Sequence, residues 1–142
     1  MTETLEELEP ETNEVLRNLF EVSVFAPDEP VIREGEYHRN LFFLKKGLLR
    51  VEQATLGVSH YIAHIHEEEW FGEISFFTGM PATAAVIVEQ EATVLSAEQA
   101  SLEKNLAEHP AFAARFYRAL SITLAKRLKE STHPVIQPGA WG

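Results

Sequence analysis

The sequence predicts a mainly β fold with flanking helices, an eight-stranded antiparallel β-barrel or jelly roll with one helix before it and two after it. Three observations lead there. Short apolar runs broken by Pro, Gly and Asp recur across residues 23–97, at the density of a small closed or rolled sheet. Apolar residues recur at helical spacing before that region, and again, over a longer stretch, after it. A chain of 142 residues suffices for one domain with its own core, and the whole of 1–142 is read as a single domain.

The elements follow in order. Residues 11–21 place Val15, Leu16, Leu19 and Phe20 on one side of a helix, so the segment 1–22 is expected to be helical. Val24-Phe25 then ends at Pro27-Asp28, and Pro30-Val31-Ile32 ends at Gly35. Leu41-Phe42-Phe43-Leu44 stops near Gly47, and the run from Leu48 to Gln53 turns at Gly57. His60 to His66 alternates clearly, and the runs Ala84 to Val88 and Ala92 to Leu95 complete the β region. Helix returns over 98–130, divided by Pro110. In its longer part, 111–130, Tyr117, Leu120, Leu124 and Leu128 recur at three- and four-residue steps, supported by Phe112 and Phe116, while Arg115, Arg118, Lys126 and Lys129 are left for the wetter sides. His133-Pro134 ends it, and an irregular tail is expected over 131–142.

Charge narrows the functional classes. Twelve Lys and Arg face 22 Asp and Glu, a formal charge of −10, and six of the acids crowd the first 14 residues without a base among them. Such a surface repels polyanions, so nucleic acid is not expected as a partner. No apolar stretch approaches the ~18 residues a membrane span needs, so no membrane insertion is expected. Cysteine is absent, which removes disulfides and thiolate chemistry and fits a cytoplasmic location. The sequence has no Gly-x-Ser-x-Gly, no phosphate loop and no His-Glu-x-x-His, so an enzyme is not expected.

Residues 70–86 carry the most specific pattern. Phe71-Gly72-Glu73 opens a short helical stretch, and Pro81, Ala82, Thr83, Ala84 and Val86 follow it. This segment, 71–86, resembles the phosphate-binding cassette of cyclic-nucleotide-binding domains. The resemblance extends to Ile32-x-x-Gly35-Glu36, to Leu41-Phe42-Phe43-Leu44-x-x-Gly47, to Gly57, and to the helix from Phe112 to Leu120. It implies ligand contacts from Gly72, Glu73, Ile74, Ser75, Ala82, Thr83 and Ala84, with Val51 and Ile62 lining the pocket. In the family the glutamate takes a ribose hydroxyl and an arginine forks onto the phosphate, with Thr83 and the backbone N–H groups near 82–83 as further donors.

Ala82 stands where the family has that arginine. A buried charge-assisted contact of that kind is worth about 2–5 kcal/mol when truncated, roughly 30- to 1000-fold in affinity. Arg33, Arg39 and Arg50 are the candidate substitutes.

The resemblance thus implies a stand-alone regulatory module without a cofactor. It would hold cyclic AMP or cyclic GMP weakly, or another small anion, and signal through its C-terminal helix to a partner protein. Homodimerisation through 111–130 is a further expectation. The chain ends twelve residues after Glu130, so no DNA-binding segment is expected to follow. One alternative is a ligand-independent interaction or oligomerisation scaffold. Another is a metal-binding, cupin-like barrel, because two-residue spacing puts His60, His64 and His66 on one strand face near Glu67, Glu68 and Glu69. The bland reading of those histidines is the polar face of a half-exposed strand.

Overall fold

The computed structural model describes residues 14–130. The elements are a short helix α1 (Glu14–Arg17), strands β1 (Glu21–Phe25), β2 (Pro30–Ile32), β3 (Asn40–Thr55), β4 (Val58–Ile65) and β5 (Trp70–Phe71), and helix α2 (Glu73–Thr78). Strand β6 (Ala85–Glu98) and helices α3 (Gln99–Glu108) and α4 (Pro110–Glu130) complete the order. Leu16 and Phe20 are buried as the helical spacing requires, but β1 opens at Glu21, inside the stretch expected to be helical. Residues 1–13 and the expected tail over 131–142 lie outside the described residues.

All pairing is antiparallel, in one sheet whose backbone is the pair β3–β6. One arm of that pair carries β1 on β6 and β5 on β3; the other carries β2 on β6 and β4 on β3. Among the described residues the sheet has six strands and does not close into a barrel, which corrects the expectation of eight separate strands. The reason is local. The runs 41–44 and 48–53 are two arms of one strand, as are the runs 84–88 and 92–95, so apolar runs outnumber strands.

The bend falls at Gly47, which has φ +105° and sits so close to β6 that a Cβ would lie 2.3 Å from the Glu91 carbonyl oxygen. Register shifts cluster there, between Leu44 and Leu49. Glycine is required both by the positive φ and by the close approach.

Strand β3 is buried on both faces over 41–44, and the uninterrupted apolar run there reflects this. Leu41 and Phe43 join Trp70, Leu95, Leu102, Leu106, Phe112, Phe116 and Leu120 in a core on the helix side. Phe42 and Leu44 join Ile32, Leu49, Val51, Ile65, Phe71, Val86 and Val88 in a second core inside the roll. Helix α4 starts at Pro110, where the fixed φ favours a first turn and the missing N–H is no loss. Its buried face is Phe112, Phe116, Ala119, Leu120 and Arg127, whereas Leu128, expected in that stripe, is 52% exposed. Among the described residues no helix is long and apolar enough to cross a membrane.

Candidate functional site

The cassette lies where the two cores meet. Trp70 faces the helices and Phe71 the interior, so strand β5 puts the next residue at the seam between them. That residue, Gly72, has φ +79° and precedes α2; a Cβ there would come within 2.7 Å of the Phe42 ring and 3.3 Å of His38 Cε1. No side chain fits in that space, so the backbone turns directly into the helix and buries Glu73 on its first turn.

Glu73 is held by a residue the sequence reading did not single out. Arg127 Nη1 donates to Glu73 Oε1 at 2.8 Å, and Arg127 Nη2 donates to the Trp70 carbonyl oxygen. Both side chains are buried, at 9% and 6% exposure, so this is an ion pair in the interior, linking the cassette to the last turns of α4. A signal existed in the sequence. Arg127 lies seven residues beyond Leu120, on the helical face of Phe112, Phe116 and Leu120, and an arginine within an apolar stripe calls for a buried acid.

The other cassette residues divide clearly. Ser75 is fully buried and Ile74 half-buried; Phe76 packs into the helix-side core, while Phe77 is 43% exposed. Ala82 and Ala84 belong to the interior core, together with Val51, and Ile62 packs against the same cluster. Thr83 is half-buried, and its carbonyl accepts from Gln53 Nε2 at 3.0 Å. The Ala82 N–H already donates to the Glu36 carbonyl at 2.8 Å, so it is not the anion donor expected there.

Three buried polar atoms close to Gly72 have no hydrogen-bond partner: Glu73 Oε2, Ser75 Oγ and His38 Nε2. His38 Nδ1 accepts from the Asn40 N–H at 3.2 Å, which leaves the proton of the neutral ring on Nε2. Burial lowers the His38 pKa below its ordinary 6.5, against the opposing charge of Glu36, and keeps the ring neutral.

Of the candidate substitutes for the missing arginine, Arg50 is tied to Asp28, Glu52 and the Val88 carbonyl. Arg39 is bonded to Gln99 and lies against Gly79, at the far end of α2. The side chain of Arg33 is exposed. The guanidinium bonded to the cassette glutamate is that of Arg127.

The three histidines do not share one face: the His64 and His66 rings lie 6.1 Å apart, but His60 is set apart from them. β4 pairs Val51 with Ala63 but Glu52 with Tyr61, so Ile62 is an extra residue and the alternation changes phase. His64 pairs with Arg50 and His60 with Gln53, an odd number of residues apart on β3, so the two histidines point to opposite sides. His64 is bonded to Tyr61 Oη at 2.8 Å and to Glu89 Oε2 at 2.9 Å. Among the described residues no three His, Asp or Glu side chains are grouped to hold a metal ion.

The architecture is a rolled antiparallel sheet with a glycine-to-glutamate turn, a short helix and a long closing helix. The chain belongs to the cyclic nucleotide-binding domain family, whose model matches residues 22–109. Cyclic GMP-binding protein C of Dictyostelium discoideum is 29% identical over 116 residues, which cover 76% of this chain and 4% of that protein.

Solved structures share the fold at low identity. A cyclic nucleotide-binding domain from Methylobacillus flagellatus superposes with a TM-score of 0.79 at 21% identity, covering 86% of this chain and 71% of that one. The c-di-GMP-responsive global regulator CLP of Xanthomonas campestris gives 0.77 at 16% identity, covering 84% and 59%. The catabolite activator protein of Thermus thermophilus gives 0.69 at 20%, covering 80% and 52%.

Proposed function

We propose that this domain is a regulatory sensor, not an enzyme, and that it binds a cyclic nucleotide at Gly72, Glu73, Ser75 and Thr83 and signals through α4 to a partner protein. The observation that carries the reading is the buried Glu73–Arg127 pair. The carboxylate a ligand hydroxyl would approach is already bonded to the helix that would carry the output, so occupancy of the cassette and the position of α4 are coupled. A ligand shifts that helix only through its differential affinity for the two arrangements. A protein partner or a second copy of the chain is the reader of α4. The cysteine-free composition supports a cytoplasmic setting, where such a module meets a small diffusible messenger.

Affinity is expected to be modest, because Ala82 offers neither charge nor a free backbone donor to a phosphate. Isothermal titration with cyclic AMP and cyclic GMP tests the reading. Binding in the high micromolar range is expected, with Ala82→Arg tightening it roughly 30- to 1000-fold. No heat up to millimolar nucleotide for either protein would refute nucleotide sensing and favour the ligand-independent scaffold.

A further inference from the structure

Helix α4 carries five of the chain's twelve bases and, in Glu130, one of its 22 acids. The helix is therefore at +4 and the rest of the chain at −14. Favourable placement against the helix dipole asks for bases in the last turn only, whereas Arg115 and Arg118 stand in the first half.

The bases are also sorted in angle. Arg127 turns inward to Glu73, while Arg115, Arg118, Lys126 and Lys129 are exposed. At about 3.6 residues per turn these four fall on one flank of α4. The other flank is apolar: it holds Tyr117, Leu124 and Leu128, and Tyr117 meets the ring of Phe77 from α2 at 6.2 Å. Between the flanks Ala114, Ser121 and Ala125 are exposed and small, so another helix can approach closely. Among the described residues, Arg118 and Lys126 have no carboxylate within ion-pair distance.

An apolar edge, a floor of small side chains and a cationic edge match a helix with leucines on one side and carboxylates on the other. We infer that this face of α4 docks an acidic amphipathic helix of a partner protein. The inference rests on the reading that α4 carries the output, and it names the chemistry of the reader. A second copy of the chain fits less well, because pairing α4 with α4 sets one +4 helix against another. Duplex DNA matches the bases but not the apolar edge, and it meets the −14 of the remaining chain.

The test is fluorescence anisotropy of a labelled synthetic peptide titrated with the whole chain. The peptide has about 20 residues, with leucine at every third or fourth position and glutamate at most others. A counterpart with lysine in place of glutamate is the control. The acidic peptide is expected to bind and the basic one to stay free. Arg118→Glu combined with Lys126→Glu is expected to weaken the acidic peptide about tenfold or more and to leave cyclic-nucleotide titrations unchanged. Arg118→Gln with Lys126→Gln, which introduces no new charge, gives the same comparison if the reversal variant does not fold. No binding of the acidic peptide, or equal binding by wild type and variant, overturns the inference. So does a dimer in sedimentation equilibrium that Leu128→Glu breaks, which gives the face to a second copy. Binding of labelled duplex DNA that the reversal variant abolishes overturns it as well. A chain that takes the acidic peptide but no cyclic nucleotide keeps this docking face and loses the nucleotide-sensing reading; one that takes nucleotide but not the peptide does the reverse.

Discussion

At the residue scale, Ala82 is where this cassette differs from the family pattern, and His38 is the buried polar ring packed against its glycine. Ala82 packs as a core residue, its methyl in the interior cluster and its N–H bonded to Glu36. His38 brings a polar ring into the same region, buried and therefore neutral. That neutrality ties His38 to stability. Burial lowers its folded pKa below the ordinary 6.5, so between the two values the unfolded chain binds more protons than the folded one. The contribution is fully present above about pH 6.5 and is lost as pH falls through the folded value. The groups around the ring are the Glu36 carboxylate, which opposes the shift, the Asn40 N–H, and the Gly72–Glu73 turn. Urea midpoints are therefore expected to fall faster below pH 6.5 in the wild type than in His38→Phe. Parallel curves would show that the ring does not titrate against folding.

At the element scale, α4 does two jobs with one face. Phe112, Phe116 and Leu120 pack on Trp70 and Phe43, and seven residues further on Arg127 completes the contact with an ion pair. Removing one member of a buried pair leaves the other charge uncompensated and costs about 3–5 kcal/mol. Arg127→Leu is expected to lose stability of that order in urea unfolding. The double variant Arg127→Leu with Glu73→Gln should recover a substantial part, because no bare carboxylate remains. A single-variant loss below about 1 kcal/mol would mean that the pair is loosely held and that α4 is anchored by its aromatics alone.

The β elements teach a related lesson. Apolar runs and turn residues marked out each arm, but whether an intervening glycine ends a strand or bends it depends on what lies across from it. Gly47 bends β3 because Glu91 and Ala92 of β6 press against it. Likewise the extra residue at Ile62, which separates His60 from His64, comes from the pairing of β4 with β3 and leaves no mark in β4 itself.

At the scale of the whole molecule, a formal charge of −10 works against the approach of polyanions. The prediction is that fluorescence anisotropy of labelled duplex DNA stays flat with added protein at physiological salt. A salt-sensitive rise would reveal a basic surface that the composition conceals. The chain spans 4% of the length of the Dictyostelium relative it matches.

Sequence alone determined the mainly β class, the order of a helix, a β region and two further helices, the cassette from Phe71 to Val86, and the absence of the arginine from it. These follow from local causes: turn residues, two- and 3.6-residue periods, and a motif contiguous in the chain. Tertiary structure decided which polar groups meet there. Arg127 lies 54 residues from Glu73, and His38 reaches Gly72 from a different strand connection. No local periodicity encodes such distances. They arise because packing brings Arg127 of α4 to Trp70 and Glu73, and His38 from the connection before β3 to Gly72, where the low dielectric makes every pairing of charge and hydrogen bond count.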